Sequence, residues 1–159
     1  SNNAKSVKSV YVAMRAATNL NNTTTEYDFI KDTLDTAQLR IGGLHYPQEE
    51  MDTGAQSWKE LIKSVQREGH LSSHFDITSA QYADTFTPTA EKGNTFLIGW
   101  DTEKFAGGDL ISGTDFSEHD IVLRHSYSSA PTDANRYYVF IYKDVLLTIV
   151  PNFNVVVSS

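Results

Sequence analysis

Cysteine is absent from the 159 residues, which excludes a disulfide framework and thiolate metal sites. Basic charge is scarce. Lys plus Arg is 13 against 20 Asp plus Glu, a net charge of −7. No basic run exists, and the first fifteen residues hold only Lys5, Lys8 and Arg15. A protein that neutralises many phosphates needs a concentrated positive face, so no direct nucleic-acid binding is expected. Long apolar runs are missing too. A run such as VLLTIV, Val145 to Val150, is far short of the roughly 20 residues that cross a bilayer, and no membrane insertion is expected. A charged segment followed by an apolar one does not open the chain, so no signal peptide is expected. The overlapping sequons of Asn21-Asn22-Thr23-Thr24 then read as chance in a polar loop. There is no initiator Met, so the chain is expected to be processed or a piece of something longer, with residues 1–5 a polar lead-in and 6–159 one domain. A domain of this size buries about 68–70% of its unfolded surface and needs no staples.

What is present is strand signal. VKSVYVAM sets Val10, Val12 and Met14 against Tyr11 and Ala13, and TAQLRI sets Ala37, Leu39 and Ile41 against Gln38 and Arg40. Residues 72–78 (SSHFDIT), 94–101 (NTFLIGWD) and 119–128 (HDIVLRHSYS) read as further strands. So do 136–144 and 145–151, with a sharp reversal near Lys143-Asp144, and a last strand in 152–159. One segment breaks the pattern. Trp58, Leu61, Ile62 and Val65 fall at i, i+3, i+4 and i+7, one stripe of a helix. Thr53 and Gln56 have capping-box spacing and Gly69 sits at a C′ position, so a helix is predicted over about 53–68. Many short strands joined by turns predict an antiparallel sandwich or jelly roll.

No catalytic constellation is predicted. His70, His74 and Asp76 come closest to a metal set, but in an extended chain His70 and His74 lie about 13 Å apart. His125 shares a strand face with Ile121, Leu123 and Tyr127, so it is expected to be partly buried and hydrogen-bonded rather than a general base. Ser112 lacks a G-x-S-x-G elbow. Gly42-Gly43 and Gly107-Gly108 match no phosphate loop. The carboxylates of DTEKFAGGD lack the 1-3-5 ladder of a calcium loop. Glu49-Glu50 is expected to favour the helix N-terminus through the macrodipole. Trp58 is expected in the core. Trp100, beside Asp101 near a strand end, and the Tyr137-Tyr138 pair are the aromatic candidates for a ligand such as a sugar. No enzymatic role, cofactor or metal is expected.

The order of these features resembles a known group. KSVYVAMR, a polar loop, QLRIGGLHYP, a helix, FLIGWDTEKF and DLISGTDFSEHDIVLRHSY lead to YYVFIYKDVLLTIVPNFNVVV. Together they are similar to the C-terminal jelly roll of double-jelly-roll major capsid proteins of eukaryotic DNA viruses, the virophage, polinton and large-DNA-virus group. Ser112, Gly113 and Phe116 match that group's turn before a long strand, and Tyr142, Asp144, Leu147 and Ile149 match its closing hairpin. Two features depart from it. The chain is too short for both jelly rolls, and the polar loop at residues 18–26 is short where such proteins often carry large insertions. The resemblance implies an all-β, antiparallel, eight-stranded jelly-roll sandwich with one helical insertion, making up one half or a processed fragment of a capsid protein. It implies self-association into trimeric, pseudo-hexagonal capsomers of an icosahedral shell, contact with penton or minor capsid proteins, and a place in the virion, assembled inside the infected host cell. The helix is then expected to cover an edge or end of the sandwich. The alternative is a carbohydrate-binding, lectin-like β-sandwich; a cupin or hydrolase fits less well, since the five histidines are scattered.

Overall fold

The alternating strands of the sequence assemble into two antiparallel sheets. The computed structural model describes residues 5–17, 29–67, 82, 96–103, 113–117, 119–131, 134–150 and 154–158. Within these, β1 is Val7–Ala16, β2 Leu34–Ile41, β3 Leu44–Asp52 and α1 Ala55–Arg67. Then follow β4 Leu97–Asp101, β5 Ile121–Tyr127, β6 Asn135–Lys143, β7 Leu146–Val150 and β8 Asn154–Ser158. One sheet runs β4-β1-β6 and the other β3-β2-β5, while β7 and β8 pair with each other. Every pairing is antiparallel. The expected eight-stranded sandwich is therefore corrected: six strands build the two sheets around the core, and the last two form a separate two-stranded sheet. The predicted strand at 72–78 lies outside the described residues.

The inward faces follow the two-residue period. Val10, Val12 and Met14 of β1, Ile98 and Trp100 of β4, and Ala37, Leu39 and Ile41 of β2 form one cluster with Met51 and Phe116. Tyr127 of β5 reaches across to β1, its hydroxyl 3.6 Å from Met14 Sδ. The two sheets therefore share one core. β1 is the central strand of its sheet, and even its outward residues Ser9, Ala13 and Arg15 are buried.

Gly42-Gly43 makes a two-residue turn, with Ile41 paired to Leu44 across it. Gly42 sits at φ 57°, a conformation that glycine takes without a Cβ penalty. The turn leads back into β3, and the helix follows only after that strand. That strand was missed because Pro47 breaks its pattern, and β3 lies at the edge of its sheet, where proline is tolerated. The β2–β3 register shifts between Ala37 and Leu39. Buried Gln38 fills the shift, donating to the carbonyls of Pro47 and Gln48 at 3.0 and 3.0 Å. Glu49 and Glu50 consequently belong to a strand rather than to the helix N-terminus, and Glu50 accepts a hydrogen bond from the Thr36 hydroxyl.

The helix starts at Ala55, and its reciprocal cap sits one residue earlier than the predicted box. Asp52 Oδ1 accepts from Gly54 N at 2.8 Å, while Gln56 Oε1 accepts from Asp52 N at 2.9 Å. Thr53 instead donates its hydroxyl to Leu34 O at 2.6 Å and its N–H to Asp35 O, tying the helix entry to β2. The deepest helical residues are Ser57, Leu61 and Ser64, a stripe rotated from the apolar one in the sequence. Two serines bring the helix close to β4. A Cβ on Gly99 would lie 2.7 Å from Ser64 Oγ and 2.9 Å from Leu61 Cδ1. The serine hydroxyls are satisfied within the helix turn, on Gly54 O and Leu61 O. Gly69, the predicted stop, lies outside the described residues.

Tyr82 packs between Trp58 and Phe96, with ring centroids at 5.1 and 5.3 Å. Burial raises its hydroxyl well above the ordinary tyrosine range. Tyr137 is raised as well, by burial first and then by the Tyr127 hydroxyl. Above pH ~10 the unfolded chain releases these protons while the folded chain keeps them, so stability falls as pH rises from there. Urea midpoints measured between pH 8 and 11 are expected to decline, and the decline to flatten in a Tyr82→Phe, Tyr137→Phe chain.

Candidate interaction surface

Six consecutive uncharged residues, Tyr137 to Tyr142, lie between Arg136 and Lys143 in β6. Such a run is what a strand covered on both faces shows. Among the described residues β6 nevertheless sits at the edge of its sheet, paired with β1 alone. Its two faces differ in how far they are covered. On the inner face Tyr137 pairs with Met14 and Ile141 with Val10, and both pack on the core. Between them Val139 stays 54% exposed. On the outer face Phe140 pairs with Tyr11 and Tyr142 with Ser9, and Phe140 and Tyr142 remain 51% and 43% exposed. Val145, just past the strand, is also exposed.

The position of this strand is fixed at both ends. At its start the Tyr137 hydroxyl is hydrogen-bonded to that of Tyr127, and Asn135 donates to Asp32 at 2.9 Å. At its end Asp144 N donates to Ser6 O at 3.0 Å, and Asp144 Oδ2 accepts from the Ser6 hydroxyl at 2.9 Å. Lys8 Nζ stands 3.2 Å from Asp144 and 3.5 Å from Glu103. Burial disfavours the Lys8 charge, but the two carboxylates outweigh it and hold its pKa above the ordinary value. The exposed aromatic row is thus held on a rigid frame.

The other sheet presents two edges of its own. At one, β5 carries exposed Arg124, His125 and Ser126. At the other, β3 carries exposed Gln48, Glu49 and Glu50, with Leu44 61% exposed at its start.

The sequence candidates can now be placed. Trp100 is 1% exposed and faces the core, which corrects its reading as a ligand platform: Trp100 pairs with Val10 of the central strand β1. Tyr137 and Tyr138 are half-buried. His125 is exposed, which corrects its expected partial burial. β5 is an edge strand, and the ring rests against Tyr127 at 5.3 Å and Tyr137 at 5.1 Å. Trp58, expected in the core, is partly buried and packs against it. Asp101 and Glu103 are engaged with Lys63 and Lys8. His70, His74, Asp76, Ser112, Gly107 and Gly108 lie outside the described residues. Among the described residues no three His, Asp or Glu side chains cluster as metal ligands would.

The β6 edge escaped sequence reading. Its signal was the uninterrupted apolar hexapeptide Tyr137–Tyr142. No family model matches this chain, and no curated protein or solved structure matches it either.

Proposed function

We propose that this chain is a jelly-roll building block of a viral capsid, a non-enzymatic protein that self-associates into trimeric, pseudo-hexagonal capsomers. The observation that carries this reading is β6: a strand apolar on both faces, rigidly framed, with its aromatic row half uncovered. Exposed edges and apolar patches of this kind invite pairing unless a partner covers them. The antiparallel sheets and the order of motifs along the chain support the same reading. A carbohydrate-binding module is the weaker alternative, because the indole best suited to a sugar platform, Trp100, is in the core.

Sedimentation velocity and light scattering of the full chain test the proposal. Trimers or larger particles that grow with concentration are the expected result, and electron micrographs should show three-fold or pseudo-hexagonal units. A strict monomer at every concentration and salt would overturn it.

A further inference from the structure

Building on the self-association reading, we infer that copies join head to tail, the acidic β3 edge of one against the basic, aromatic β5–β6 edge of the next. Charge distribution points to this pairing. β5 and β6 hold Arg124, Arg136 and Lys143 and no carboxylate, in a chain whose net charge is −7. β3 holds Glu49, Glu50 and Asp52 and no Lys or Arg. These strands are not neighbours: β3 and β5 are the opposite edges of one sheet, and β6, bound to β5 through the Tyr127–Tyr137 pair, flanks the β5 edge. One molecule therefore cannot satisfy both edges with itself, whereas two molecules side by side can.

Apolar surface is present on both sides of the contact. Leu44 is exposed at the start of β3, and Val139, Phe140 and Tyr142 are exposed along β6. The two edge strands match in length at nine residues each, about 30 Å. Opposite charges orient the partners and exclude the wrong pairing, since a β3–β3 contact sets acid against acid and a β6–β6 contact base against base. A contact between two different patches is heterologous. It closes into a ring where the rotation permits, which a trimer requires.

Two sets of variants of the full chain test this. An Arg136→Glu, Lys143→Glu chain is expected to weaken self-association at least about tenfold. Adding Glu49→Lys and Glu50→Lys to it should restore most of the loss. Asp52 is left untouched because it caps the helix. The second set exploits the lack of native cysteine. A chain with both Gln48→Cys and Val139→Cys, or Gln48→Cys and Tyr142→Cys, should form disulfide-linked multimers on oxidation, and each single-cysteine chain should stay uncrosslinked. Circular dichroism establishes that each variant is folded. Crosslinked dimers of a single-cysteine chain would mean a like-to-like contact and overturn the pairing. If assembly persists unchanged in the charge-reversed chain and neither double-cysteine chain crosslinks, the pairing falls while self-association stands. If the parent chain never associates, both fall.

Discussion

A Gly113→Ala chain is expected to be less stable by about 3 kcal/mol, which for a domain of this size lowers the melting temperature by roughly 6–12 °C. Gly113 runs against the start of β1 with no room for a side chain. A Cβ there would lie 2.5 Å from Ser6 C and 2.6 Å from both Val7 C and Val7 N. These are backbone atoms, and they cannot rotate away as a side-chain tip would. The strand they belong to is held on every side. Val7 N donates to Thr114 O at 2.9 Å and Thr114 N to Val7 O at 2.8 Å. The Thr102 hydroxyl donates to Val7 O, and that of Thr114 to Thr102 O. Relief of the clash therefore means breaking this lattice or shifting β1, the central strand of its sheet. Gly43→Ala is the matched control, since nothing lies within 4 Å of its Cβ position; it should stay within about 0.5 kcal/mol of the parent. Thermal and urea unfolding at one fixed protein concentration decide the matter, because association shifts apparent stability. Equal stabilities for the two variants would refute the close approach.

Local patterns were legible where local physics sets them. Val10, Val12 and Met14 point inward because the strand period places them so, and the same holds for Leu39 and Ile41. The helix was legible as an element, but its buried side was not. Ser57 and Ser64 are polar by type, yet their hydroxyls bond within the helix, so they serve as small residues where α1 meets Gly99. β3 was hidden by Pro47 and by the edge position that leaves Gln48, Glu49 and Glu50 in solvent. Thr53 was read as a helix cap, while its partner is Leu34 O, 19 residues away. Gly113 stood out only through its motif; its reason is a backbone contact more than a hundred residues distant in sequence. The candidate surface followed the same rule. The run Tyr137–Tyr142 was plain to see, but its place at a sheet edge depends on pairing with β1, which no local window contains.

A Trp100→Ala chain should lose about 3–5 kcal/mol, the usual cost of emptying a buried aromatic site. Trp100 is among the largest fully buried side chains. It faces the core from β4 and pairs with Val10, itself 1% exposed. Its indole N–H has no hydrogen-bond partner among the described residues. The ring thus contributes through packing, and its polar group adds nothing in return for its own desolvation. A Trp100→Phe chain keeps most of the packing and removes the unpaired donor, so it should lose only about 1–2 kcal/mol. The contrast between the two variants separates a core tryptophan from a ligand platform. A platform would lose glycan binding at nearly constant stability, whereas a core residue loses stability in proportion to the volume removed. Because the indole is only 1% exposed, any Trp100→Phe chain that folds should also associate as the parent does. Loss of association in a folded Trp100→Phe chain, with its melting temperature unchanged, would place Trp100 at the contact surface and contradict its burial.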